Sequence, residues 1–148
     1  MRQPTRKRAP AVRVGRTPIG RGVFARRRFR AQQIVGVIRG QVIDDPDYSS
    51  DYCMELDDGR SLEPAAPFRY LNHSCQPNCE LFSWETDEPA PHDRLWLQAL
   101  TAIEPGEELT IDYAWPADAA IPCACGATGC RGWIVSPEEL PLLVQTAD

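Results

Sequence analysis

Arg69-Tyr70-Leu71-Asn72-His73-Ser74-Cys75-Gln76-Pro77-Asn78-Cys79 is the stretch from which the rest of the chain is read. It sets a carboxamide, an imidazole, a hydroxyl and two thiols close together, with Pro77 and Asn78 supplying turn chemistry. Asn78 is expected to bond its own backbone and hold a tight turn. An isolated histidine is most simply a satisfied, half-buried ring; the company of Asn72, Ser74 and Cys75 separates His73 from that reading. Two later stretches belong with this one: Gly106-Glu107-Glu108-Leu109-Thr110-Ile111-Asp112-Tyr113, and Cys123-Ala124-Cys125-Gly126-Ala127-Thr128-Gly129-Cys130-Arg131-Gly132-Trp133.

The last stretch offers three thiolates as Cys-x-Cys-x4-Cys. Zinc prefers four tetrahedral ligands, and three neighbouring cysteines read alone are equally open to redox chemistry or packing. The basic N-terminus lacks the apolar run of a secretory signal, so export by that route and disulfide pairing are not expected. No apolar run approaches the length of a membrane span. With 148 residues, 43% of them apolar, one domain with a real core is expected.

Charge is unevenly placed. Residues 1–30 hold eleven Arg or Lys and no acid, and the rest hold five Arg against all 21 acids. An acidic body attracts a basic peptide and speeds its encounter. The cationic arm has three open readings: contact with nucleic acid or an acidic partner, folding back on its own domain, or plain solvation.

Short β signals dominate the chain. Val23-Phe24-Ala25 follows a Gly20-Arg21-Gly22 turn, Ile34–Ile38 is a β-branched run, and Val42-Ile43 stops at Asp44-Asp45-Pro46-Asp47. Residues 52–56 alternate up to a hairpin-like turn at Asp57-Asp58-Gly59. Residues 95–100 and 109–113 also read as strands. Residues 85–91 read as a surface loop, and residues 1–12, rich in Arg and Pro, as disordered. Pro64 and Pro67 interrupt the best helix candidate, near residues 61–71. Ser136-Pro137-Glu138-Glu139 has a cap, a first-position Pro and a third-position Glu, the start of a short helix limited by Pro141. Strands without βαβ alternation argue for a mostly β domain.

In this order and spacing, preceded by Pro18-Ile19-Gly20-Arg21-Gly22-Val23-Phe24-Ala25, the motifs resemble the SET-domain protein lysine methyltransferases with a cysteine-rich post-SET tail. The resemblance covers roughly residues 14–134. It implies small curved sheets, few helices and a knot-like C-terminal segment threaded beneath a loop. It also implies a division into a basic arm (1–13), a SET domain (14–116), a zinc-binding segment (117–135) and a tail (136–148). The implied reaction moves a methyl group from S-adenosylmethionine to a lysine side chain of a protein.

By the same resemblance, Gly20, Arg21, Gly22 and Phe24 lie against S-adenosylmethionine; the glycines suit a close backbone approach. Asn72 and His73 match the pair that holds the cofactor's amino acid and adenine; His73 is not assigned as a general base. Tyr113 matches the family's catalytic tyrosine, a phenol able to orient the amine and turn a partial negative dipole toward the methyl. Tyr52, in Asp51-Tyr52-Cys53-Met54, matches a second tyrosine near the methyl, and a core tyrosine with a bonded hydroxyl is the plainer reading of both.

Ile111 stands where the family usually has Phe or Tyr, a site that limits methyl addition. Lacking a hydroxyl to hold water, it implies a pocket that goes beyond one addition. Trp133 is expected to wall the lysine channel. The resemblance implies Cys75 as the fourth ligand beside Cys123, Cys125 and Cys130, closing one structural zinc site, while Cys53 and Cys79 are left as buried residues. The segment between Leu56 and Arg69 is short and leaves the substrate groove undefined.

Expected partners are a protein with a lysine in a basic segment (a histone, histone-like or ribosomal protein) and no membrane. Nucleic acid is expected only weakly, through the arm, and the chain is expected as a monomer, cytoplasmic or nuclear. The rival from another class is a catalytically silent, zinc-dependent interaction module with the same fold. A second rival, a nucleic-acid-binding protein led by the arm, finds no aromatic interleaving or recognition motif.

Overall fold

The computed structural model describes residues 10–56, 59–83 and 95–144. Among the described residues, twelve short strands are distributed over three small sheets and one hairpin. The strands are β1 (Val12–Thr17), β2 (Gly20–Ala25), β3 (Ile34–Ile38), β4 (Gly40–Ile43), β5 (Met54–Glu55), β6 (Ser61–Pro64), β7 (Asn72–His73), β8 (Cys79–Phe82), β9 (Leu95–Ala99), β10 (Glu108–Ile111), β11 (Ile121–Pro122) and β12 (Trp133–Ile134). Two 3-10 turns, Phe68–Tyr70 and Ala117–Ala119, and one helix, α1 (Leu140–Val144), complete the elements.

The sheet that carries the quoted motifs has the order β1-β2-β10-β7. The late strand β10 inserts between two early ones, antiparallel to β2 and parallel to β7. Its alternation explains the fit: Leu109 and Ile111 face the core while Glu108 and Thr110 face the other side. The remaining sheets are β3-β9-β8 and β4-β6-β5. One core joins them, with Val23, Phe29, Leu62, Leu97, Ile103 and Leu109 almost wholly buried.

The motif run at residues 69–79 is short of regular structure but not of backbone partners. Asn72 and His73 pair with Thr110 and Ile111. Asn78 does not close on its own backbone as expected. Its Nδ2 donates to Glu108 O at 2.8 Å and its Oδ1 accepts from Thr110 N–H at 2.9 Å, so a side chain pairs with β10 as a strand would. That alternative wins because β10 presents backbone groups within reach and a buried group left unpaired is costly.

Several other expectations change. Val12 is buried and Arg13 stands opposite Phe24, so residues 12 and 13 belong to β1 rather than to a disordered arm. A Val-x-Val alternation is too brief to read as a strand alone; pairing with β2 makes it one. Residues 1–9 lie outside the described residues. Gly20-Arg21-Gly22 is not a turn but the first half of β2, and the turn is Pro18-Ile19.

The strand expected over residues 52–56 shrinks to β5, because Tyr52 N–H and Cys53 N–H both donate to Ser50 Oγ. The loop expected at residues 85–91 and the pair Asp57-Asp58 also lie outside the described residues. At the end, Leu140 N–H donates to Ser136 O at 3.1 Å and Ser136 Oγ meets Glu139 at 3.5 Å. Pro141 is accommodated inside α1, in the first turn, where its missing N–H removes no helical bond. No helix among the described residues is long and apolar enough to cross a membrane.

Candidate active site

The glycine motif is built for a close approach. Gly20 has φ +125°, a conformation that L side chains rarely adopt. A Cβ on Gly22 would stand 2.6 Å from Glu108 Oε2, 2.8 Å from Thr17 Cγ2 and 3.1 Å from Asn72 Nδ2. Gly22 therefore keeps open a small cradle walled by β1, β10 and β7.

Asn72 fixes that cradle. Its Nδ2 donates to Arg21 O at 2.9 Å and to Glu108 Oε2 at 2.8 Å, so one carboxamide ties three strands together. Glu108 was missed in the sequence reading, although it lies inside the quoted Gly-Glu-Glu run. The Arg21 side chain donates to the Tyr70 hydroxyl at 3.2 Å, and the Phe24 ring lies 4.7 Å from the Arg13 guanidinium.

His73 is a structural hub. Its Nδ1 accepts from the Tyr113 backbone N–H at 3.1 Å, which leaves the neutral ring's proton on Nε2, 3.4 Å from Cys75 Sγ. Burial holds the imidazole's pKa below its ordinary value; Asp112 pulls the other way, and Arg131 adds to the lowering. With both nitrogens engaged, the ring orients its neighbours and has no free position for proton transfer.

Tyr113 continues the alternation of Leu109 and Ile111 toward the core. Its hydroxyl donates to Leu71 O at 2.5 Å. Burial, reinforced by Glu108 and Tyr52, raises its pKa to about 12, so the phenol is neutral at any working pH. Beside it opens a cleft of ≈ 790 Å³, whose lining includes Tyr52, Arg69, Leu71, Ile111, Tyr113 and Trp115. Asp51, Glu55 and Asp112 bring carboxylates to the same cleft.

Tyr52 is 40% exposed, yet the Arg69 guanidinium stacks 4.0 Å from its ring centre. Arg69 is held in turn by Glu63 at 3.1 Å, and Glu63 accepts from Ser50 at 2.6 Å and Tyr48 at 3.1 Å. Those bonds, Ser50 foremost, keep the Glu63 carboxyl below its ordinary pKa.

Trp133 does not line this cleft. It stands in β12 opposite Pro122, 36% exposed. Trp115 does line it, with its ring centre 5.2 Å from that of Tyr113. The signal for it was available, an aromatic two residues beyond the tyrosine. Cys53 also reaches the cleft, half-buried, while Cys79 is wholly buried in the core.

Cys75, Cys123, Cys125 and Cys130 converge, with all four sulfurs within 4.8 Å of one another. Cys75 Sγ lies 3.8 Å from Cys123 Sγ and 4.0 Å from Cys130 Sγ. A tetrahedral zinc with bonds of about 2.3 Å sets sulfurs about 3.8 Å apart. Backbone N–H groups of Arg131 and Gly132 point at Cys75 and Cys130 sulfurs, each at 3.4 Å, as suits thiolates. The four residues fit one structural zinc ion. Arg131 also reaches Asp112, a pair the sequence reading did not single out.

Fold and site together define a β-rich domain with a glycine-lined cradle, a tyrosine cleft and a four-cysteine clasp. The chain belongs to the SET domain family, whose profile matches residues 20–114. It is 32% identical over 149 residues to an H3 lysine-4-specific histone-lysine N-methyltransferase of Aspergillus oryzae, covering 87% of this chain and 12% of that protein. It is 40% identical over 90 residues to histone-lysine N-methyltransferase ash1 of Drosophila melanogaster, covering 56% of this chain and 4% of that protein. The chain thus spans a small fraction of these relatives. Among solved structures, KRYPTONITE in complex with mCHG DNA and SAH aligns with a TM-score of 0.73 and 27% identity, over 83% of this chain and 28% of that one.

Proposed function

We propose that this protein is a protein-lysine N-methyltransferase that uses S-adenosylmethionine and holds one structural zinc ion. The single observation that carries the reading is the convergence of the Tyr113 hydroxyl, the Gly22–Asn72 cradle and the four-cysteine clasp around His73. S-adenosylmethionine supplies an electrophilic methyl on a sulfonium. The lysine lone pair forms the N–C bond while the C–S pair stays on sulfur, and the amine proton goes to water.

Free lysine has a pKa of about 10.4, so the cleft must favour the neutral amine. Its apolar wall of Leu71, Ile111 and Trp115 does so by desolvation. Tyr113, held on Leu71 O, presents phenolic oxygen lone pairs to the amine and methyl without ionising. Tyr52, steadied by Arg69, supplies a second phenol. Cys75, Cys123, Cys125 and Cys130 would hold the zinc, with residues 117–135 as the metal-binding segment on a body that ends near residue 116. Zinc there is structural: it pins the tail against the cofactor loop. Ile111 leaves room beside the amine, and the product proceeds beyond monomethyl-lysine.

A histone is the substrate class best supported. Relatives carry histone-lysine names that include H3 lysine 4 in Aspergillus oryzae and H3 lysine 36 in mouse, the latter 28% identical. A further KRYPTONITE structure holds an H3(1-15) peptide with SAH. Asp51 and Glu55 at the cleft suit a lysine in a basic segment, and a chromatin setting follows from the substrate.

The test is to incubate the pure protein with methyl-labelled S-adenosylmethionine and recombinant core histones, then map the label by mass spectrometry. Labelled di- or trimethyl-lysine supports the reading. Failure to bind S-adenosylmethionine in calorimetry would favour a silent interaction module, and monomethyl-lysine alone at long times would reject the Ile111 argument.

A further inference from the structure

Tyr113 is gripped on both sides by hydrogen bonds that end on one sulfur. On one side, its N–H donates to His73 Nδ1 at 3.1 Å, and His73 Nε2 lies 3.4 Å from Cys75 Sγ. On the other side, the next N–H, that of Ala114, donates to Asp112 Oδ1 at 2.9 Å. Both Asp112 oxygens accept from Arg131 Nη2, at 2.8 and 2.9 Å. Arg131's own backbone N–H then donates to Cys75 Sγ at 3.4 Å. The circuit closes through the Tyr113 backbone.

The link at Ala114 is strained. Its φ is +51°, a left-handed conformation unfavourable for a residue with a Cβ. Strain of this kind persists only where surrounding contacts over-determine it. The contact present here is the Asp112 carboxylate, which accepts the Ala114 N–H as an Asx-type turn does. Asp112 cannot rotate freely to another partner, because Arg131 holds both of its oxygens. The Arg131 side chain is only 12% exposed, and its Nε is buried with no partner, so the guanidinium is anchored on the Asp112 side.

We propose that Asp112 and Arg131 are positioning residues. Together they lock the left-handed turn at Ala114, fix the direction of the Tyr113 hydroxyl and tie that direction to the cysteine clasp. The inference rests on the methyl-transfer reading and names how the tail governs that site. A tail that merely covered the cleft would need no carboxylate two-way contact at the residue preceding the phenol. This tail reaches past its own ligands to the turn that aims Tyr113.

The test uses the full chain with zinc bound. Asp112→Asn keeps the side chain's shape but weakens its hold on Arg131. Its kcat is expected to fall tenfold or more, roughly the cost of misplacing a reacting group. KM for S-adenosylmethionine stays within about twofold and metal analysis still finds one zinc per chain. The near-ultraviolet circular dichroism of the Tyr113–Trp115 ring pair weakens in parallel. Adding Ala114→Gly, which adopts the left-handed turn without strain, restores kcat and the dichroism together; a merely structural role would predict no such rescue. Arg131→Ala, which removes the Nη2 donor to both Asp112 oxygens, is expected to lower kcat as Asp112→Asn does, and unchanged kcat there also overturns the proposal.

An unchanged kcat in Asp112→Asn overturns the proposal. So does a loss that tracks zinc content, or a double variant no better than the single one. A wild type that binds no S-adenosylmethionine and methylates neither histones nor any protein of a cell extract would instead defeat the methyl-transfer reading. The positioning claim would then stand or fall on the dichroism, which must still weaken in Asp112→Asn and return with Ala114→Gly.

Discussion

The body and the cysteine-rich tail of this domain are held by different forces. From Val12 to Ile111 the chain contributes nearly all of the buried apolar residues, and its sheets share one core. From Ala117 to Ile134 no residue is buried, and the next buried one is Val135. Such a segment cannot repay its ordering entropy by apolar burial. Four sulfurs, one of them from the body, are placed to do that work by holding a metal ion. The comparison predicts separable weak points: the sheets should survive loss of the clasp, while the hold that reaches Tyr113 through His73 and Arg131 should loosen.

The largest break in that comparison is at the metal. Chelation, or Cys125→Ser, is expected to lower methyl transfer a hundredfold or more, on the scale of a displaced catalytic group, while far-ultraviolet circular dichroism keeps the signal of the sheets. Collapse of the sheets on chelation would contradict the separation. Next is the body itself. Leu97→Ala in β9, where the side chain is wholly buried, should cost about 2–5 kcal/mol in denaturant unfolding without changing zinc stoichiometry.

Gly22→Ala sharpens the boundary between the two. Its Cβ would press on Glu108 and Asn72, so calorimetry should find S-adenosylmethionine binding weakened by about 1–3 kcal/mol, the scale of overpacking, with the clasp intact. The smallest effect concerns Glu63. Because its folded pKa is depressed, its contribution to stability is present above the unfolded value of about 4.3 and is lost as pH falls through the folded pKa. Glu63→Gln should therefore remove less than about 1 kcal/mol at pH 7 and flatten the acid limb of the stability profile. The rate profile has its own check. Tyr113 stays neutral up to about 12, so transfer should rise with pH as the lysine amine deprotonates, with no downturn from the phenol before that point.

Much of this was legible in the residues. Ile34–Ile38 stands as a strand with the bounds its β-branched run suggested. The four sulfurs meet although Cys75 is 48 residues from the nearest of its three partners, because the motif around Cys75 carried the ligand and not only its neighbours in sequence. What was not legible depends on tertiary pairing. β1 exists because β2 recruits it. Asn78 turns to β10 because a backbone lies there to be satisfied. Trp115 rather than Trp133 reaches the cleft because the β11–β12 hairpin sets Trp133 opposite Pro122, outside the cleft lining. Asp112 and Arg131 look like ordinary surface charges until the fold brings them to 2.8 Å.

The most direct test of the central claim compares wild type with Tyr113→Phe on core histones, measuring S-adenosylmethionine binding, zinc content and methyl transfer on the same samples. Loss of the hydroxyl on Leu71 O should leave cofactor binding and one zinc per chain intact and reduce transfer a hundredfold or more, the cost of a misplaced reacting group. Transfer at the wild-type rate by Tyr113→Phe would contradict the account.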